Sequence, residues 1–172
     1  MGDKIMPAIN VRIDKKRYNI DNLREGVVRV GWFSDTEYDD GVSVAQVARW
    51  NEFGTPSAKY PIPARPFMRP VAHGKSQQLA EQLRAMYQLS LRNNTNTMKV
   101  LERFGEYVIA LIQRQIDATT SPANSPITIH GGWLRSASGK SFHVAGKKRT
   151  HPLIDTGFMR ATVSYQAEEI RK

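Results

Sequence analysis

The chain has 172 residues, 40% apolar and 24% charged, and carries a formal charge of +9 at pH 7. That length suits one domain with a core of its own. The absence of cysteine excludes disulfides, thiolate catalysis and cysteine-based zinc sites, and no apolar run approaches the roughly 20 residues of a membrane span. Met1-Gly2-Asp3-Lys4 has no apolar segment behind it, so no secretory signal is expected.

Taken in chain order, residues 5–14 suit a strand, with Ile9, Val11 and Ile13 in alternation, followed by the polar turn Asp14-Lys15-Lys16-Arg17. Residues 27–33 predict a second strand whose Val28, Val30 and Trp32 share one face. Ser34 to Gly41 is acidic and turn-like. Ser43 is placed as a helix N-cap. Val44, Val47, Ala48 and Phe53 follow at helical spacing, and Gly54 and Thr55-Pro56 stop the helix. Prolines at 56, 61, 63 and 66 then impose a stiff extended path.

Two amphipathic helices are predicted next. The first covers about 67–91, with Leu79, Leu83, Met86, Tyr87 and Leu91 on one stripe. After the break at Asn93-Asn94-Thr95-Asn96, Asn96 caps a second helix with the stripe Leu101, Phe104, Val108, Leu111 and Ile112. The short link implies an antiparallel pair. Leu101, Phe104, Val108 and Leu111 are expected to face the sheet that holds Val28, Val30 and Trp32.

Residues 118–152 show the least periodicity. Pro126 to Ile129 suits a helical turn and Ser141 to Val144 a short strand, and Met159 to Ala167 predicts a last strand returning to the sheet. Between Gly131 and Pro152 lie Arg135, Lys140, Lys147, Lys148 and Arg149 without an acid. Such a run is either a solvated basic loop or a surface for an anionic partner, DNA among the candidates.

Motifs of catalysis are missing from the sequence. No H-E-x-x-H, G-x-S-x-G, G-x-x-x-x-G-K or G-x-G-x-x-G occurs, and His73, His130, His143 and His151 show no ligand-pair spacing on a helix. Asp39 and Asp40 are neighbours that point apart in an extended chain, so a turn is the simpler role. Asp155, before Thr156-Gly157, likewise suits a turn. Trp133, Arg135, Phe142 and His143 mix aromatic and basic groups of a kind that stacks on single-stranded nucleic acid, but no recognised binding motif frames them.

Three stretches carry a resemblance. Val44-Ala45-Gln46-Val47-Ala48-Arg49-Trp50-Asn51-Glu52-Phe53-Gly54-Thr55 is followed by Ile62-Pro63-Ala64-Arg65-Pro66-Phe67-Met68-Arg69-Pro70 and then by Pro152-Leu153-Ile154-Asp155-Thr156-Gly157-Phe158-Met159-Arg160-Ala161. In that order, over roughly residues 27–166, they resemble the tail-completion and neck proteins of long-tailed bacteriophages, a pattern largely shared by virion-morphogenesis and minor tail proteins. The resemblance implies a single α+β domain: a small, mostly antiparallel sheet packed on a helix pair. It also implies a virion structural protein without catalytic residues, cofactor or metal. Such a protein forms or caps a homo-oligomeric ring, a hexamer being one form, that joins tail to head beside tail-terminator, tail-tube and head-closure proteins. The alternatives are a tail terminator or minor tail protein within that class and a basic nucleic-acid-binding module outside it. Residues 130–150 depart from the pattern as an insertion.

From this follow expectations for single residues. Arg65 and Arg69 are rigidly placed donors suited to carboxylates, Glu52 or Asp155 among them, with Arg65 pinning residues 61–70 to the helix end at Glu52-Phe53. Gly54 and Gly157 serve turns, and Asn51, Pro63, Pro66 and Thr156 belong to the structural motifs. Trp50 and Phe53 are core residues or subunit contacts. Phe67, Trp133, Arg135, Phe142, Lys147, Lys148 and Arg149 are candidate partner contacts, with non-specific contact to channel DNA as a further option. Residues 130–150 are expected to form a mobile loop that orders on assembly. A loop disordered throughout, or a hairpin folded on its own subunit, are the alternatives.

Overall fold

A computed structural model describes residues 24–33, 36–57, 60–93, 95–136 and 138–170. The strand expected at 5–14 lies outside the described residues. Helices and two antiparallel strand pairs make an α+β fold. The chain divides into two units. The first comprises Arg69–Leu111 with the described residues up to Gly31 and from Ser164 onward; the second comprises Trp32–Met68 and Ile112–Val163.

In the first unit β1 (Gly26–Gly31) pairs antiparallel with β4 (Ser164–Glu169), Val30 opposite Tyr165 and Val28 opposite Ala167. The period of two puts Gly26, Val28, Val30, Tyr165 and Ala167 on one face. That face meets α4 (Thr97–Ala118): Gly26 lies against Leu101, and Tyr165 lies against Gly105. Arg29 and Glu168 form an exposed ion pair on the other face. The predicted return of the last strand to the sheet is thus observed.

The helix pair is observed too. Helix α3 (Ser76–Arg92) runs antiparallel to α4: Gln78 Nε2 donates to Tyr107 Oη at 3.0 Å, and the turn is closed by Ser90 Oγ donating to Thr95 O at 2.7 Å. Asn96 Oδ1 accepts from Lys99 N at 3.0 Å, the cap its position predicted. Leu79 and Leu83 on α3 are buried, as are Val100, Leu101, Phe104, Leu111 and Ile112 on α4, while Val108 is half-buried. The single helix expected over 67–91 is broken, however. Helix α2 (Met68–Ala72) stops before His73-Gly74-Lys75 and α3 starts afresh. Pro70 is tolerated in the first turn of α2, but Gly74 removes helix propensity where the chain turns back.

In the second unit α1 (Val44–Phe53) has the predicted limits, although the Ser43 side chain makes no cap bond. Trp32 follows β1 and does not share a face with Val28 and Val30 on that strand. Its indole donates to Met159 O at 2.8 Å and meets the Phe67 ring edge-on at 5.6 Å. Val44, Ala48, Phe67, Ile116, Leu153, Met159 and Val163 are buried in this unit. Helix α6 (Phe158–Ala161) follows Gly157 and precedes β4, where the sequence predicted continuous strand. Among the described residues no helix is long and apolar enough to cross a membrane.

Gly105 gives a test of the strand–helix contact. In an exposed helix, Gly→Ala gains about 1 kcal/mol. At position 105 a Cβ would lie 2.6 Å from Tyr165 Cγ, so Gly105→Ala should instead lower stability by about 1–3 kcal/mol, as overpacking does. Urea denaturation measures it, and a midpoint at or above the parent's would mean that Tyr165 does not sit on this turn.

Candidate functional site

The motif residues in 51–68 form a clasp in the second unit. Helix α1 ends because Gly54 adopts φ 74°, which suits glycine, and because its N–H caps Trp50 O. A side chain at Gly54 would also strike Ile62 O and Ala64 N, so the proline segment lies directly on the helix end. Thr55 N donates to Ile62 O at 2.9 Å, Ile62 N donates to Thr55 Oγ1 at 2.8 Å, and Arg65 N donates to Asn51 O at 2.7 Å. Asn51 Nδ2 donates back to Val47 O at 2.9 Å. Pro63 and Pro66 are exposed and set the path.

Glu52 is 3% exposed. Its Oε2 accepts from Phe67 N at 2.8 Å, just before α2, and from Met68 N at 2.9 Å, the first amide of α2. A carboxylate at a helix start satisfies donors that have no partner within the helix. Glu52 therefore ties the end of α1 to the start of α2.

Arg65 is 5% exposed, and its acceptors are not carboxylates. Nε donates to Pro122 O at 2.7 Å, and Nη2 donates to Ala123 O at 3.1 Å and Asn124 Oδ1 at 3.3 Å. Burial holds its pKa below the usual guanidinium value. The expected carboxylate pairing is corrected on this point: Glu52 faces main-chain amides, Asp155 faces Lys147, and the planar fork of Arg65 reads the turn before α5 (Pro126–His130). Residues 61–68 are pinned to the end of α1, as expected, but by main chain and Glu52. The Arg65 and Phe67 side chains lie inside the unit, Phe67 at 0% exposure, so neither is a surface contact. Arg69 is exposed on α2. Phe53, expected in the core or at a subunit contact, is 60% exposed, and half-buried Trp50 helps line a shallow open depression with Arg49 and Thr55.

The third motif is also structural. Lys147 bonds Asp155, Arg149 Nε lies 3.9 Å from Asp155 Oδ1, and Thr156 Oγ1 accepts from Phe158 N at 3.2 Å. Sequence reasoning missed a second fork. Arg160 Nε and Nη2 donate to the two oxygens of Asp117 at 2.7 and 2.9 Å. These hydrogen bonds lower the Asp117 pKa and raise that of Arg160. The Arg160 in the third motif was the available signal; its partner is distant in sequence.

The inserted basic segment is not a loop. Ser125 and Pro126 start α5, with Ser125 Oγ accepting from Thr128 N. Strand β2 (Gly131–Arg135) then pairs antiparallel with β3 (Ser141–Ala145), Trp133 opposite His143 and Leu134 opposite Phe142. Ser136 N donates to Lys140 O at 2.8 Å and Lys140 N to Ser136 Oγ at 3.0 Å, which closes the tip. At the root Lys147 N and Lys148 N donate to Thr128 O and Ile129 O, both at 2.9 Å. Tyr60 Oη donates to Arg135 O at 2.6 Å and accepts from Arg135 N at 3.3 Å. Ile127 packs beside Gly132, so that face of the ribbon is covered by α5. The self-folded hairpin, an alternative to the mobile loop, is the one observed. Two short runs with aromatic and aliphatic residues, Trp133-Leu134 and Phe142-His143-Val144, flanking a Ser/Gly turn were its signal.

The opposite face carries Trp133, 71% exposed, with His143 edge-on at 5.4 Å. Phe142 is 43% exposed on the α5 side, and Arg135, Lys140, Lys147, Lys148 and Arg149 are all exposed. Among the described residues no group of three His, Cys, Asp or Glu side chains is placed to hold a metal. No family model, curated protein or solved structure matches the chain.

Removing the Glu52 carboxylate leaves two amides without their acceptor. Glu52→Ala should lower stability by about 2–6 kcal/mol, at about 1–3 kcal/mol for each stranded group. Arg65→Lys keeps the charge but loses the fork, and should also destabilise. Chemical denaturation reads both, and losses within about 0.5 kcal/mol, the range of ordinary surface changes, would contradict the clasp.

Proposed function

We propose that this chain is a structural subunit of a tailed-phage particle, at the head–tail junction or upper tail, and that it works by shape and not by catalysis. The observation that carries the reading is the use of the three motifs. Asn51, Glu52, Gly54, Arg65 and Thr156 hold main chain, and Asp155 holds lysine and arginine. Residues shared with the tail-completion pattern thus build a frame of main-chain and ion-pair contacts.

The surface supports the same reading. Phe53, Tyr60, Phe142 and Phe158, all in the second unit, are large apolar side chains left exposed. Aromatic residues and arginine dominate the energetics of protein interfaces. A homo-oligomeric ring would cover such residues between subunits and against tail-terminator, tail-tube or head-closure proteins.

Genetic removal with add-back tests this. Infections lacking the protein should accumulate filled heads and finished tails unjoined in electron micrographs, and purified protein should restore joined particles. Normal yields of joined particles without the protein would refute the role.

A further inference from the structure

We infer that the β2–β3 ribbon is a sequence-independent contact for duplex DNA. The inference goes beyond the joining role and does not depend on it. It stands on charge, shape and exposure.

The charge is of one sign. Residues 118–154 contain no Asp or Glu, and the ribbon with its root carries Arg135, Lys140, Lys147, Lys148 and Arg149. Asp155 takes up part of the charge at Lys147 and Arg149. Lys140 stands at the tip, and Lys148 lies between those two residues at the root. Positive charges spread along an element without acids match a polyphosphate better than a protein surface, where charges of both signs alternate.

The shape is that of a groove reader. Strands lie about 4.8 Å apart, and a two-stranded ribbon is one of the elements that the roughly 12 Å major groove admits. Five paired residues per strand give a ribbon about 17 Å long at 3.4 Å per residue. The ribbon is held at its root by α5 and at its tip end by the Tyr60 hydroxyl on Arg135, so its pose is fixed before any partner arrives. Ser136 and Ser138 bond each other at the tip and Ser141 is exposed at the start of β3, where hydroxyls can donate to phosphate oxygens. The outer face holds one aromatic rung, Trp133 with His143, flanked along β2 by Arg135. That is too little apolar area for the centre of a stable protein interface, but it suffices to lie against sugar edges in a groove.

The test is binding of the full-length protein to a fluorescent mixed-sequence duplex across a salt series. Three to five phosphate contacts give a log–log slope of roughly −3 to −4.5. Lys140→Gln and Lys148→Asn should each flatten the slope by about 1 and weaken binding on every duplex sequence alike. Asn is chosen because Lys148 holds φ 56°, which Asn tolerates. Unchanged melting temperatures and oligomeric state show that the variants keep their fold. Absence of duplex binding at low salt overturns the inference, as does binding that the double variant leaves intact. Tighter binding to single strands, lost in Trp133→Ala, would replace groove contact by base stacking. A double variant that fails in particle assembly, in a protein that does not bind DNA, would assign the ribbon to an acidic protein instead.

Discussion

The second unit depends on one buried carboxylate. Glu52 reaches from the last turn of α1 to the amide of Phe67, just before α2, and to that of Met68, its first residue. Those amides have no partner inside the helix, and their bonds to Glu52 are buried at Phe67 and part-buried at Met68, so the carboxylate is the acceptor that lets α2 begin where it does. The prolines before them limit the paths by which Phe67 can arrive. Once Phe67 is fixed, its ring supports Trp32, whose indole holds the carbonyl of Met159. A short chain of contacts thus links all three motifs: Glu52 to Phe67, Phe67 to Trp32, and Trp32 to the segment that follows Asp155-Thr156-Gly157.

Arg65 extends the same logic to residues 122–124. A guanidinium can satisfy several carbonyls at once with fixed geometry, where an ammonium cannot. Placing it under the turn before α5 sets the start of the hairpin. The clasp and the ribbon are therefore parts of one arrangement within this unit: an interior built from the motifs, and a basic ribbon anchored to it at both ends.

Local signals in the sequence were read correctly where they were dense. Ser43 and Gly54 bound α1, Asn96 caps α4, and the alternation of Val28 and Val30 marks β1. Nonlocal partners were harder. Arg65 was expected to seek a carboxylate because charge suggests charge, but a proline-rich turn 57 residues on offers carbonyls in better geometry. Phe67 was expected at the surface beside its prolines, yet burial of its ring outweighs the exposure of the chain around it. Glycines and charges dominate the composition of the ribbon, which gives its sequence the character of a mobile loop. Its strands are short, only one face is covered, and that cover comes from Ile127, outside the segment itself. The break at Gly74 was legible as a helix-weakening residue but was overridden by the long stripe that follows it.

The most direct test of the clasp is amide hydrogen exchange at Phe67 and Met68. Both amides stand at the start of a short helix after a proline segment, where exchange is fast unless a buried acceptor holds them. With Glu52 as that acceptor, they should exchange as slowly as the core amides of α4, and both should lose protection in Glu52→Ala. Exchange at exposed-loop rates in the parent protein would contradict the arrangement on which the rest of the unit depends.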